Sequence, residues 1–257
     1  MVVNFDHRRE ASKCNCERDG VTGNLRLLGL AMVTAGVLVG GSGTEMAGAQ
    51  SACADLGGTV DPQHTCHVHA DSSSYTLDYT FPVDYPDQQA LSDFLTHERD
   101  GFVNWVAKYG PDGRDLPYQD VVTATSYRSG AAATGTQSLV LEINGDTGAA
   151  HQGHPDTSFK AFNYDLGKGT PITFDTLFKP GTKPLDVIYP AVQRELAKNQ
   201  AVAAPTFNGL DVNSYQNFAI TDDAVIFFFG ENRLIQDDNG PHKVSVPRTD
   251  LASLMAV

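Results

Sequence analysis

Two rhythms of apolar and polar residues run along the chain. Tyr75, Leu77, Tyr79 and Phe81 alternate with Thr76, Asp78 and Thr80, the period of a half-buried strand. The spacing then lengthens: Leu91, Phe94, Leu95, Phe102, Trp105, Val106 and Tyr109 recur every three or four residues. That period predicts an amphipathic helix, opening near Pro86-Asp87 and ending at Gly110-Pro111. Strands are expected over 120–128 (DVVTATSYR) and 136–144 (TQSLVLEIN), joined as a hairpin by SGAAATG. A loop rich in glycine and histidine, GDTGAAHQGHPD, leads to a further strand in SFKAFNYDL. ITFDTLF reads as a short strand entering the turn at Lys179-Pro180-Gly181. Leu185, Ile188, Tyr189, Val192 and Leu196 mark a second helix, in which Pro190 implies a kink or a later start. NFAI and AVIFFF form a hairpin through Thr221-Asp222-Asp223. AVIFFF is apolar on both faces, so it belongs at the centre of a sheet, and another layer must cover the rings on its far side. KVSVP is a last strand, and RTDLASLMAV one helical turn. Antiparallel hairpins with two intervening helices predict an α+β domain: an antiparallel or mixed sheet packed by two helices.

The N-terminal 49 residues do not fit that domain. Leu27–Val39 is uncharged and apolar, shorter than the ~20 residues of a comfortable membrane span. Arg26 precedes it, and Ala47 and Ala49 occupy the −3 and −1 positions of a small-x-small cleavage site before Gln50. This is the pattern of a secretory signal peptide, so 1–49 is read as a leader and 50–257 as one exported domain that is not integral to the membrane after cleavage. Export changes the meaning of the cysteines. Cys14 and Cys16 leave with the leader, and Cys53 and Cys66 remain as an even pair in an oxidising compartment, where a disulfide is expected.

The leader carries five basic residues (Arg8, Arg9, Lys13, Arg18, Arg26) and five acidic ones (Asp6, Glu10, Glu17, Asp19, Glu45), so the formal charge of −13 belongs wholly to the mature part. A surface this acidic argues against nucleic acid or anionic lipid as partner, since both require clustered Lys and Arg. No G-x-S-x-G elbow follows the leader, and neither a phosphate loop nor HExxH occurs. In HTCHVH, His67 and His69 point the same way on an extended segment, but no carboxylate lies within the cluster to complete a metal shell, and no metal or cofactor is expected. His151 and His154 share a glycine-containing loop with Asp156 nearby, an arrangement that can present an accessible imidazole beside a carboxylate. Ser129 and Ser126 are the candidate nucleophiles, and Asp156 and Asp165 the candidate orienting carboxylates.

The runs FPVDYPDQQAL, HPDTSFKAFNYDL, PITFDTLF, PLDVIYPAVQREL and SYQNFAITDDAVIFFF resemble the mycobacterial secreted immunogenic MPT/MPB antigen family, and CHVHA especially its secreted-esterase-like TB branch. The second half, about 136–257, also looks like the RsiV-type C-terminal domain, with its Gly-Gly-x-His loop, strand and x-T-x-x-x-L-F turn. The resemblance implies a β-grasp-like α+β fold, export to the envelope or medium, and a mycobacterial source. It also implies one of three roles: carboxylesterase on short acyl esters, antigen without an enzymatic role, or module that binds lysozyme. His154-Pro155 matches the family's loop histidine and Lys160-Ala161-Phe162 the strand after it, whereas His151-Gln152 replaces the expected glycine pair.

Two functions follow as expectations. In one, an exported carboxylesterase uses Ser129 as nucleophile, His154 as base and Asp156 as orienting group, with His151 and Lys160 in binding. In the other, a monomeric, non-catalytic secreted module binds a protein or glycan ligand through the same loop face.

Overall fold

The computed structural model describes residues 52–109, 117–146, 156–198, 209–231 and 240–257. The expected leader, and His151 and His154 with it, lie outside the described residues. The α+β expectation holds. Seven strands form one mixed sheet in sequential order: β1 (Thr59–Val60), β2 (Thr65–Asp71), β3 (Tyr75–Pro82), β4 (Tyr118–Ser129), β5 (Thr136–Asp146), β6 (Asp156–Asp165) and β7 (Thr170–Pro171). All neighbours pair antiparallel except β3 and β4, which run parallel because the long helix α1 (Gln88–Tyr109) carries the chain back between them. Asp87 opens α1 by accepting the amide of Ala90 at 3.2 Å.

The remaining strands form a separate three-stranded sheet, β8 (Phe218–Ile220), β9 (Ala224–Phe229) and β10 (His242–Pro247), with β9 in the middle as its two-sided apolar pattern predicts. Side-chain alternation sorts the core into three layers. On one face of the large sheet, Leu77, Tyr79, Phe81, Val122, Leu139, Leu141 and Ile143 pack against Leu91 and Leu95 of α1. On its other face, Val140 and Phe159 meet Ala219 and Phe228 of the small sheet. Phe228 is thus the ring that turns away from its neighbours, and Phe159 covers it at 5.4 Å. Beyond the small sheet, Phe227 and Phe229 pack with Ile188 and Val192 of α3 (Leu185–Lys198).

Two local expectations change. ITFDTLF enters a helix, not a strand: Thr173 caps α2 (Phe174–Leu177), its hydroxyl accepting the Thr176 amide while Thr176 answers at the Thr173 backbone. Pro190 lies inside α3, which begins at Leu185 and not after the proline. The tail supplies α4 (Arg248–Leu251). At the N-terminus Cys53 and Cys66 form a disulfide, both fully buried. It fastens a helical turn over 52–55 to β2, and only glycine passes beside it. A Cβ on Gly58 would lie 2.8 Å from the Cys66 sulfur and 2.9 Å from that of Cys53.

Candidate functional site

The crossover helix α1 covers the sheet incompletely. Along its second half an open cleft of about 510 Å³ separates it from the ends of β4, β5 and β6. His97, Glu98, Phe102 and Trp105 line the helix side; Asp120, Gly145, Asp156 and Ser158 line the sheet side, and Glu231 closes one edge. The ladder explains the floor. Asp120 pairs with Gly145, and Gly145 pairs with Asp156, so a residue without a side chain sits between two carboxylates. A Cβ on Gly145 would meet nothing within 4 Å, so this position is open and not filled by a neighbour. Two strand spacings put the Asp120 and Asp156 backbones roughly 10 Å apart.

Asp120 is the unusual residue. It sits on the inward face of β4, in phase with Val122, and is 2 % exposed. Burial pushes its carboxyl up to about 6; a hydrogen bond from the Tyr79 hydroxyl to Oδ2 opposes the rise, and the charge of Glu98 adds to it. Burial and the Asp120 charge push the Tyr79 hydroxyl above its ordinary range, which keeps it a donor. Glu98 is also raised by burial, with His97 opposing. A buried carboxylate balanced near neutrality in an open cleft is a candidate acid–base group.

Two members of the candidate triad, Ser129 and Asp156, are not brought together among the described residues. Ser129 pairs with Thr136, whereas Asp156 pairs with Gly145 nine residues further along β5, so the two lie about 30 Å apart along the ladder. Ser129 is buried and accepts a hydrogen bond from Arg248 Nη1 at 2.6 Å. Asp222 completes this cluster, accepting the Gly130 amide at 2.7 Å and bonding the Ser129 hydroxyl, contacts that hold its carboxyl below the usual range. The hydroxyl therefore ties the β4–β5 turn to the β8–β9 turn and to α4. Ser126 is exposed on β4, and Asp165 closes a turn by accepting from Lys168 at 2.9 Å. Lys160 lies over the rings of Phe162 (5.3 Å) and Phe94 (5.7 Å), on the same sheet face as the cleft.

The histidines of β2 do point the same way, and carboxylates reach them from outside the HTCHVH run. His67 bonds Asp61 at 3.0 Å, and His69 bridges Asp78 at 2.6 Å and Asp71 at 2.9 Å. No group of three or more His, Cys, Asp or Glu suited to a metal ion occurs among the described residues. No helix among them is long and apolar enough to cross a membrane.

Comparison with known proteins places this architecture. Over 230 residues the chain is 51% identical to "Esterase Rv3036c" of Mycobacterium tuberculosis, covering 89% of this chain and 98% of that protein. It is 38% identical to "Immunogenic protein MPB64" of Mycobacterium bovis over 227 residues, 88% of this chain and 97% of that protein. The chain belongs to the MPT64/MPB64 family of mycobacterial immunogenic proteins. A family model described as a protein of unknown function, DUF3298, matches residues 175–249. Among solved structures, that of a DUF3298 family protein from Pseudomonas aeruginosa PAO1 aligns with a TM-score of 0.48 at 12% identity, covering 76% of this chain and 95% of that one.

In this MPT64/MPB64 family member, the DUF3298 match begins after β6, so most of the cleft lies in the part of the chain that precedes it. The matched part has its own concavity of about 560 Å³ beside Phe178, Pro180, Pro184 and Leu185. Its carboxylates, Asp175 and Asp186, are exposed first-turn residues of α2 and α3. Sequence reasoning passed over Asp120, Glu98 and Gly145. One signal was available: Asp120 occupies an inward phase of a strand otherwise filled by Val122 and Ala124.

Proposed function

We propose that this protein is exported and hydrolyses small acyl esters in the cleft between α1 and the sheet. The observation that carries the reading is the 51% identity to "Esterase Rv3036c" across 98% of that protein. Asp120 supports the location, because a general base is most effective when its pKa lies near the working pH.

Above pH about 6 Asp120 is ionised and takes a proton from an attacking water. The water oxygen bonds to the ester carbonyl carbon, and the hydroxyl of Ser158, on the same sheet wall two strands from Asp120, donates to the developing oxyanion. The carbonyl–alkoxy bond then breaks, and the leaving oxygen recovers the proton from Asp120. Acid and alcohol are released, and no acyl-enzyme is formed. This chemistry accounts for ester hydrolysis without a G-x-S-x-G elbow, with Asp156 lining the cleft and Ser129 outside it.

The test is turnover of p-nitrophenyl acetate and butyrate by protein recovered from the medium of a mycobacterial host expressing the full chain. Asp120→Asn should lower turnover by about 100-fold or more, the scale of a lost acid–base group, while Ser129→Ala retains it. Absence of turnover above buffer would refute the hydrolase. Equal turnover by Asp120→Asn would refute the site.

A further inference from the structure

We infer that the cleft selects esters whose alcohol portion carries an ammonium group of about the size of choline. The choice of substrate class rests on the hydrolase reading; the recognition of the cation does not.

The charge lining the cleft is one-sided. Glu98, Asp120, Asp156 and Glu231 face it, with His97 the remaining titratable group, and no lysine or arginine is among the described lining residues. The nearby basic side chains among the described residues are engaged elsewhere. Arg99 bonds Asp100 at 2.8 Å and the Asp55 carbonyl at 3.0 Å, Lys160 lies over Phe94 and Phe162, and Lys243 pairs with Glu142 at 3.6 Å. Among the described residues neither Glu98 nor Asp156 has a hydrogen-bond or ion-pair partner, and Asp120 engages one only through Oδ2. Asp120 is 2 % exposed as a residue yet lines the cleft, and the Tyr79 hydroxyl engages only its Oδ2.

The second observation is aromatic. Trp105 and Phe102 form part of the helix wall, and Trp105 is held edge-on by Tyr118 at 5.3 Å. Tryptophan is the best of the aromatic partners for a cation, and a quaternary ammonium beside it keeps its charge while losing little hydration. The acidic residues are spread around about 510 Å³ instead of converging on a point, which suits an organic cation better than a metal ion. Esters with an anionic acyl or alcohol group meet like charge on both walls and are excluded.

Trp105 is the only tryptophan in the chain, so it reports binding independently of turnover. The full chain is titrated with choline at constant ionic strength while Trp105 fluorescence is followed, with 3,3-dimethylbutanol as the neutral isostere. In parallel, kcat/KM is measured for butyrylcholine and for 3,3-dimethylbutyl butyrate. Choline should give a saturable change and bind about tenfold or more tightly than the isostere, and Glu98→Gln should weaken it several-fold. The cationic ester should be preferred by a comparable factor. Saturable choline binding without hydrolysis of either ester leaves cation recognition standing and removes the hydrolase. Hydrolysis without preference for the cationic ester, or equal or absent binding of choline and dimethylbutanol, overturns the inference whatever the activity.

Discussion

Asp120→Asn separates the electrostatic claim from the catalytic one, because it predicts a change in stability that needs no substrate. Burial raises the Asp120 carboxyl from its ordinary 3.8 to about 6, so the folded protein holds this proton more tightly than the unfolded chain does. Below pH 3.8 the carboxyl is protonated in both states and its contribution to stability is fully present. Between 3.8 and about 6 the folded state binds more proton than the unfolded one, and stability falls as pH rises. Above about 6 the loss is complete, and the interval between the two values corresponds to about 3 kcal/mol at 1.36 kcal/mol per unit. Asparagine keeps an oxygen for the Tyr79 hydroxyl and has no proton to lose. Urea unfolding of the two proteins at pH 4, 5, 6 and 7 cancels the titration of the other carboxylates. The difference should move by about 2.4 kcal/mol in favour of Asp120→Asn across that range, because the unfolded carboxyl is already more than half ionised at pH 4. Parallel curves would refute the claim that burial holds a strained charge at this position. The same substitution should lower ester hydrolysis by about 100-fold or more, so that stability and activity change in opposite directions.

Three further outcomes follow. Gly145→Val places a side chain in open space on a strand; it should leave stability unchanged or raise it by about 0.5–1 kcal/mol while suppressing hydrolysis, and full activity would show that the cleft floor is not the site. Ser129→Ala removes the acceptor of Arg248 and should lower unfolding stability by about 1.5–3 kcal/mol with turnover of p-nitrophenyl butyrate intact; loss of turnover in a fully folded variant would return Ser129 to the chemistry. Reduction of Cys53–Cys66, which closes a segment with a sequence separation of 13, should lower unfolding stability by about 3 kcal/mol, and an unchanged unfolding midpoint would contradict the staple.

The elements with strong periodicity were legible without coordinates. The apolar spacing in 88–109 defined α1, the strict alternation in 75–82 defined β3, and the two-sided run AVIFFF announced a central strand. What covers the far side of that run was not legible, since Phe159 and Phe228 are separated by almost seventy residues and carry no local mark of their contact. The surroundings of Ser129 were not legible for the same reason. A serine in a hairpin of small residues looks exposed, and only the return of Asp222 and Arg248, far along the chain, buries and occupies its hydroxyl. Short polar segments also mislead when the capping chemistry decides them: Thr173 and Thr176 turn ITFDTLF into a helix although its β-branched residues favour a strand.

Asp120 and Gly145 are direct cross-strand partners, and each is a poor choice for the fold. The buried carboxylate weakens the folded state at neutral pH, and the glycine forgoes both a side chain and strand propensity at a position with room for one. The surrounding core shows no general tolerance of such choices. On the same sheet face Leu139, Leu141 and Val122 are fully buried, and at Gly58 the available space is used so closely that a single Cβ would collide. Two unfavourable residues at one rung of an otherwise well-packed ladder, in a cleft that the chain's single tryptophan also lines, therefore have no explanation in packing. An open cleft whose chemistry requires a carboxylate near neutrality and an empty floor explains both.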